Sequence, residues 1–558
     1  MSRYLLPFFM FVLFSLSGNA QTVGLFQNDS LAFNGYTLFA PNSSLNTYLI
    51  DNCGKKINSW TSTNTPGLSA YLLEDGDLLR TVRVPSMFGG GGTGGRIERY
   101  SWDGQLEWSY LHSTPDYHQH HDIEPLPNGN ILILAWEFHS QAECIAAGRD
   151  PSEVGSGGVW LEQIVEIEPT GANGANIVWE WHLWDHLIQD FDETKPNYGI
   201  VADHPELMDF NFVPNSGPGQ NPDWIHANSV SYNAELDQIM LSSRTMSEIW
   251  IIDHSTTTEE AAGHAGGNSG KGGDIIYRWG NPEVYDHGTS ADKKLYSQHH
   301  ATWIPQGYPN EGKILVFNNG VNRPGGNRSS ADIINPPVDL SGNYTYVDDQ
   351  AYGPVNLFWT YGTDLDEFFY SSNISGALAM PNGNILICDG TKGNFIEVDL
   401  DGTVRWEYVS PITSNGAVTQ GTTPNGNNVF RALKYSADFP GFVGKDLTPG
   451  EPLEVDPLQY DCMIYDGVVT SAPILEVLHD VKILGNLIAE TLYIENETGQ
   501  FLSFEIYDLS GRKIIDHNLR EGISETNVNY LNSGMYFVRI FDESRSRFVI
   551  EKIIVNKE

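Results

Sequence analysis

The sequence predicts an all-β chain, a six-bladed β-propeller followed by a small C-terminal Ig-like β-sandwich. Three observations lead there. Of 558 residues only 18% are charged while 40% are hydrophobic and 12% aromatic, with 56 Gly and 29 Pro, which gives a large core broken by many tight turns, unlike a disordered chain or a helical bundle. Between residues 21 and 475 a unit of short strands recurs six times in one order, the mark of a repeat architecture. From Glu476 onward the pattern changes to short alternating strands between Gly turns, which read as a small sandwich over 476–558.

The elements follow in chain order. Arg3 precedes an apolar run from Tyr4 to Leu16, and Ser17, Gly18, Asn19 and Ala20 follow. This is the layout of a secretory signal over residues 1–20, too short to span a bilayer. No later stretch supplies about 20 uninterrupted apolar residues, so no transmembrane segment is expected. In the body, each repeat brings a strand to an aromatic end: Trp60, Trp108-Ser109-Tyr110, Trp179-Glu180-Trp181, Tyr277-Arg278-Trp279, Trp359-Thr360-Tyr361 and Trp406-Glu407-Tyr408. Each is followed by a hairpin-like segment, as in Glu74-Asp75-Gly76-Asp77, Pro127-Asn128-Gly129-Asn130, Pro381-Asn382-Gly383-Asn384 and, in the sixth, Pro424-Asn425-Gly426-Asn427. Asn-Gly between apolar runs signals a tight hairpin whose two turn residues both take positive φ. Six repeats of about 75 residues exceed a minimal four-stranded blade and leave room for loop insertions. A closed propeller is the solution that removes most sheet edges.

Charge and cysteines exclude several classes of function. With 31 Lys+Arg against 71 Asp+Glu the formal net charge is 31 − 71 = −40, which argues against nucleic-acid binding because phosphate contacts need clustered cations. Cys53, Cys144, Cys388 and Cys462 lie far apart with no CxxC pair, so neither a zinc ribbon nor a dithiol redox site is expected, and at most one or two disulfides. Cys144-Ile145-Ala146-Ala147-Gly148-Arg149 comes near the context of a formylglycine sulfatase, but its Arg stands one residue too late. No phosphate-cradling Gly loop opens a helix.

The chemistry converges on one phase of the repeat, between the aromatic end and the next apolar strand. There the chain reads His118-Gln119-His120-His121-Asp122, Trp224-Ile225-His226-Ala227-Asn228-Ser229 and Ser297-Gln298-His299-His300-Ala301, with Ser375-Gly376 in the equivalent slot of the fifth repeat. Same phase in neighbouring blades means one place in space, the mouth of the channel. Leu241-Ser242-Ser243-Arg244 brings a lone cation to the strand after His226, an oxyanion fork in an acidic body. One reading of His120, His121, His226, His299 and His300 is an imidazole cage for a metal. Against it, divalent sites usually recruit carboxylates or thiolates and have little use for a converging Arg. Another reading is a non-catalytic exported propeller that binds glycan or protein.

At these residues the chain resembles the bacterial arylsulfate sulfotransferase family. The resemblance is carried by HHDIEPLPNGNILIL, WIHANSVSYNAELDQIMLSSR, QHHATWIP and VFRALKYSADFPGFVGKDLTPG. It implies a six-bladed propeller that moves a sulfuryl group from a phenolic sulfate donor to a phenol acceptor without PAPS and without a cofactor or metal, through a sulfohistidine intermediate and with ping-pong kinetics. It also implies roles: His299 as nucleophile, His226, Asn228 and Arg244 as holders of the sulfuryl oxygens, and His121 as proton donor. Because His299 and His121 each sit in a His-His pair, His300 and His120 stay open as alternatives, with Ser375 as a further neighbour. The tail, with IYDLSGRKI, LNSGMYFVRI and KIIV in order, resembles the type A sorting domain of the type IX secretion system. That implies export through the periplasm of a Gram-negative bacterium, handling by the type IX machinery, and a secreted or cell-surface location. The Gly-rich runs Gly89 to Gly95 and Gly263 to Gly273 are expected to line the rim that sets substrate choice.

Overall fold

The computed structural model describes residues 21–214, 221–339, 341–363, 369–458 and 461–465, and residues 476–557 apart from 478–480, 486, 499–501, 508–512 and 543–546. The expected leader at residues 1–20 lies outside them. Two compact units result, one running to residue 467 and one from 468 on, with 307–309 grouped with the second.

In the first unit, the described residues form six antiparallel sheets of four or five strands, beside two isolated strand pairs. The first sheet holds Gly35–Pro41, Asn46–Ile50 and Lys56–Thr61, the second Pro66–Leu72 through Leu106–Leu111, and the third Tyr117–Pro125, Ile131–His139, Val159–Thr170 and Gly174–His182. The fourth runs from Ala227–Asn233 through Gln238–Ser243 and Glu248–Asp253 to Ile275–Trp279, and the fifth from His299–Trp303 through Ile314–Asn318 to Trp359–Tyr361. The sixth holds Gly376–Ala379, Ile385–Asp389, Asn394–Val398 and Val404–Val409, with Gly24–Asn28 added at its edge. The first strand of each sheet lies against that of the next, and Gly376–Ala379 lies against Val429–Ser436. Val429–Ser436 in turn pairs with Gly35–Pro41, so the contacts close into a ring.

The aromatic strand ends have a specific task in this ring. They form the outermost strand of the first five sheets and, in the sixth, the strand just inside Gly24–Asn28, and one indole from each donates its N–H to a backbone carbonyl of the following sheet. The bonds are Trp60 to Ser101 at 3.0 Å, Trp108 to Gly174 at 2.9 Å, Trp181 to Gly273 at 2.7 Å, Trp279 to Pro354 at 2.8 Å, Trp359 to Leu400 at 2.8 Å and Trp406 to Asn52 at 2.8 Å. Each indole covers apolar area and satisfies a carbonyl, that of Gly174 at the start of a strand and the other five in connections between strands.

Two sequence expectations are corrected. The Asn-Gly segments are not two-residue turns: in each only the Gly takes positive φ, 88° at Gly129 and Gly383 and 76° at Gly426, and the Asn does not. Pro127 fixes the first turn position, Asn128 Oδ1 accepts from the Asn130 N–H at 2.9 Å, and Leu126 N–H reaches the Asn130 carbonyl at 2.8 Å, the longer turn in which Gly alone needs the left-handed region. The sixth such segment opens no hairpin. It leads into Val429–Ser436, whose partner is the unsatisfied edge of Gly35–Pro41, nearly the whole unit away in sequence. A disulfide between Cys53 and Cys462, 409 residues apart, secures the same closure, and such links typically add about 2–4 kcal/mol by restricting the unfolded chain. Cys144 and Cys388 are free and buried.

The second unit contains a larger sheet built on Leu502–Tyr507, Gly534–Asp542 and Arg547–Val555, and a three-stranded sheet of Val481–Ile483, Thr491–Asn496 and Gly522–Asn527. Leu492 and Ile494 from the smaller sheet share one apolar core with Phe504, Ile506, Val538 and Ile540 from the larger. No helix of the described residues is long and apolar enough to cross a membrane.

Trp406 is fully buried whereas the Trp359 bond lies at the solvent edge. Trp406→Phe removes the donor and strands the buried Asn52 carbonyl, so chemical denaturation should show a loss of about 1–3 kcal/mol, with Trp359→Phe costing less than half as much.

Candidate active site

The site is built where the first strands of neighbouring sheets begin. In that strand or just before it, sheets two to six each carry a non-glycine residue at positive φ: Leu68 at 108°, His121 at 48°, His226 at 50°, His300 at 53° and Ser375 at 88°. The pairing register slips at the same places in sheets two to five, as between Ala227 and Ser229 and between His299 and Ala301. Such bulges re-aim side chains at the cost of local strain, and they cluster at functional sites.

His299 is buried, and its Nδ1 lies 2.6 Å from Asn319 Oδ1. The amide orientation of Asn319 follows from its other contacts, since Nδ2 donates to the carbonyls of Ser371 at 2.9 Å and Ile374 at 3.0 Å. Oδ1 therefore faces the ring and can only accept, so the His299 proton sits on Nδ1 and Nε2 carries a lone pair. Burial first, and then the Arg244 charge, hold the His299 pKa well below the usual imidazole value. Arg244 follows Gln238–Ser243, where its backbone N–H bonds the His226 carbonyl at 3.1 Å. Its guanidinium is only half-buried and has no hydrogen bond or ion pair among the described residues.

His226 places Nδ1 2.5 Å from Asp223 Oδ2, which fixes the ring and leaves Nε2 for the site. Its ring meets that of His121 edge to face, with centroids 4.7 Å apart. Behind His121 lies a chain of buried groups: His121 Nδ1 to His120 Nδ1 at 2.8 Å, and His120 Nε2 to Glu162 Oε2 at 2.8 Å. Glu162 Oε1 accepts the Ala227 N–H at 2.8 Å. Burial raises the Glu162 carboxyl well above the carboxylate range, takes His120 down to about 3 and holds His121 well below its usual value. His120 also stacks on Trp136 at 4.0 Å. The Phe430 ring lies between the two imidazole groups, 6.0 Å from His121 and 6.5 Å from His299.

The remaining expected residues face elsewhere. Asn228 is fully buried, and its Nδ2 donates to the Gln298 carbonyl at 2.7 Å, beside His299. His300 turns toward Gly376, where an added Cβ would stand 2.7 Å from its Nδ1, and that nitrogen is buried without a partner. The Ser375 hydroxyl donates to Ser371 Oγ at 2.8 Å and accepts the Gly390 N–H at 3.0 Å. The two Gly-rich runs part company. Gly92 lies over His121, whose ring would be 2.1 Å from a Cβ there, and its carbonyl accepts the His121 N–H at 2.7 Å. Gly263 to Gly273 instead packs at the outermost strands, where Trp181 meets Gly273.

Sequence reading missed Asn319, Asp223, Glu162 and the pair Asp122–Arg431. Arg431 reaches Asp122 Oδ2 at 2.9 Å and the Tyr71 hydroxyl at 2.9 Å, and the Tyr71 hydroxyl donates to Asp122 Oδ1 at 2.8 Å. These groups join the ring-closing strand to sheets two and three directly beneath the histidines. Two signals were available: Asn318-Asn319 ends its strand in the phase that Ser243-Arg244 occupies one sheet earlier, and Asp223 stands three residues before His226.

The arylsulfotransferase (ASST) family model matches residues 35–400, and a secretion system C-terminal sorting domain matches residues 486–556. The chain belongs to the arylsulfotransferase family. Its C-terminal sorting domain marks it for secretion or cell-surface export. No curated protein matches the chain. Among solved structures, a Bacteroides caccae protein of unknown function is 10% identical, with 72% of this chain and 99% of that one covered and a TM-score of 0.38. A Lactobacillus plantarum protein is 9% identical over 88% and 99%, with a TM-score of 0.33. Apo AztD from Citrobacter koseri is 9% identical over 89% and 98%, with a TM-score of 0.29. Likenesses this slight leave the fold to rest on the sheets themselves.

Proposed function

We propose that the protein is an exported aryl-sulfate sulfotransferase that moves a sulfuryl group from a phenolic sulfate ester to a phenol through a sulfohistidine on His299, in ping-pong order and without PAPS. The six sheets in cyclic contact are read as the blades of a six-bladed propeller with this site at the channel mouth. The smaller unit is read as an Ig-like sandwich recognised by the type IX secretion machinery. The observation that carries the reaction is the Asn319–His299 bond, because it leaves an unprotonated Nε2 within the field of the Arg244 guanidinium, which has no ion pair among the described residues.

The His299 Nε2 lone pair attacks sulfur, the bond from sulfur to the aryl oxygen breaks, and its electron pair leaves on the phenolate. Arg244 holds the sulfuryl oxygens as charge shifts to them, and His226 joins it as a donor when its ring carries a second proton on Nε2, with Asp223 as the counter-ion on Nδ1. Asn228 is better read as a positioning residue, since it grips the Gln298 carbonyl next to the nucleophile. The sulfated ring keeps its Nδ1 proton against Asn319 and so carries a positive charge, and it leaves as neutral imidazole in the second transfer, when the N–S electron pair returns to Nε2.

Protons follow the buried chain behind His121. With Glu162 protonated, its hydroxyl donates to His120 Nε2, His120 Nδ1–H donates to His121 Nδ1, and His121 presents Nε2–H to the departing phenolate. Passing that proton moves one proton along each link and leaves Glu162 ionised. The acceptor phenol returns its proton to His121 Nε2, and the chain shifts back. One relay thus serves as acid in the first half-reaction and base in the second. His120 is on this reading a positioning residue rather than a nucleophile.

Turnover of an aryl sulfate should depend on a second phenol and survive a chelator. Arg244→Ala should lower kcat/KM roughly 10²- to 10³-fold in a folded protein. The pH profile gives the sign of the electrostatics: wild-type kcat/KM should not fall between pH 8 and 6.5 through His299, because its pKa lies lower. Removing the Arg244 charge removes repulsion on the protonated ring, so the acid limb of Arg244→Met should move to higher pH. An acid limb at 6.5 that ignores residue 244 contradicts the assignment.

Glu162→Gln blocks the shuttle but keeps the buried contacts. With a nitrophenyl sulfate, whose leaving group needs no proton, phenol release in the first half-reaction should change less than about tenfold. With an unactivated phenyl sulfate it should fall about 10²-fold or more, a split that loss of packing alone does not produce.

A further inference from the structure

The described residues contain one further constellation with ligand chemistry, far along the sheets from His299. Gly174–His182 ends in a short turn, Leu183–His186. A four-residue helix, Thr258–Ala261, leads into the Gly-rich run, which returns to Ile275–Trp279. His186, His264 and Asp274 meet there, each offering one ligand atom, with all three atoms within 4.8 Å of one another. This is the outermost strand of the third sheet, three strands away from the one that carries His121.

Proton counting singles the cluster out. The His186 Nε2 lies 2.8 Å from the Ala261 carbonyl, which can only accept, so that nitrogen holds the proton. Its other nitrogen, Nδ1, then presents a lone pair to Asp274 Oδ1 at 2.8 Å, and His264 Nδ1 approaches the same oxygen at 2.8 Å. One cation among these atoms satisfies them, either a proton or a metal ion. Three features favour the ion. The Ala261 carbonyl is the kind of outer partner that fixes a ligating imidazole in the right tautomer. His186 is fully buried while the His264 side chain is 61% exposed, which gives an ion an entry path and a water-filled position. The Gly-rich run is tightly folded, with Gly272 N–H to the Gly266 carbonyl at 3.0 Å, Gly273 N–H to Gly263 at 3.1 Å and Ser269 N–H to Asp253 Oδ2 at 2.6 Å, so the donors are held in place rather than gathered from a loose loop.

We propose that His186, His264 and Asp274 form a binding site for one divalent transition-metal ion of the zinc class, which fastens the Gly-rich connection of the fourth sheet to the outermost strand of the third. Two imidazoles and one carboxylate make the donor set of an open tetrahedral site. Donors about 2.0–2.1 Å from such an ion stand about 3.3 Å apart, so binding opens the present contacts by roughly 0.5 Å.

Full-length mature protein, stripped with chelator and dialysed, should take up one equivalent of Zn2+ by calorimetry and show the visible absorption of tetrahedral Co2+ when Co2+ replaces it. His264→Ala, at an exposed position that leaves folding intact, should weaken uptake at least tenfold, as should Asp274→Asn. His226→Ala and His299→Ala should bind as wild type. Metal should also slow proteolysis within residues 263–273. Absence of uptake, uptake unchanged by His264→Ala, or uptake lost in His226→Ala overturns the proposal, and none of these readouts depends on sulfotransferase activity.

Discussion

Six indole N–H groups, one from the aromatic strand end of each sheet, bond carbonyls of the following sheet, and the last of them, from Trp406 to Asn52, returns to the beginning. The rest of the larger unit depends on this circle. No single sheet buries both its faces, so each is stable only against its neighbours, and the circle fixes the angle at which neighbours meet. Val429–Ser436 closes it at the centre, the Cys53–Cys462 bond secures its seam, and Arg431 carries the closure inward to Asp122. Breaking such a buried pair by removing one partner costs about 3–5 kcal/mol, a measure of how firmly the ring is joined beneath the site.

A ring of this kind forces the starts of its first strands together. Bulges with positive φ at His121, His226 and His300 then set the imidazole directions, bringing the His121 and His226 rings together beside the buried His299 and turning His300 toward Gly376. Desolvation decides their chemistry. It lowers the pKa of His120, His121 and His299 and raises that of Glu162, favouring the neutral form of each, and the Arg244 guanidinium adds to the penalty on a charged His121 or His299 ring. Neutral nitrogen is what the proposed sulfuryl transfer needs, and among the described residues no carboxylate forms an ion pair with Arg244. The overall charge of −40 is carried elsewhere.

Much of this was legible in the sequence because the repeat is periodic. Aromatic strand ends and same-phase histidines mark the outer and first strands of the sheets in the sequence itself. What escaped has a physical explanation. The ring-closing strand pairs across nearly the whole unit, and no local pattern announces a partner that distant. His299 and His300 differ in direction only through a one-residue bulge, which sequence spacing does not reveal. Asn319 and Glu162 come from second and third strands whose polar residues look like ordinary strand residues until the sheets are assembled. The Gly-rich runs looked alike, yet Gly92 lies over His121 while the Gly263 to Gly273 segment packs at the rim of the third and fourth sheets.

The central claim is that His299 Nε2, and not His300, receives the sulfuryl group. The most direct measurement mixes the purified protein with an aryl sulfate in the absence of any phenol acceptor, quenches at alkaline pH and maps the adduct by peptide mass spectrometry. The account predicts one SO3 added on His299, discharged when a phenol is supplied and absent from Arg244→Ala on the same timescale. An adduct on His300, or phenol release with no protein adduct at any time, would contradict it.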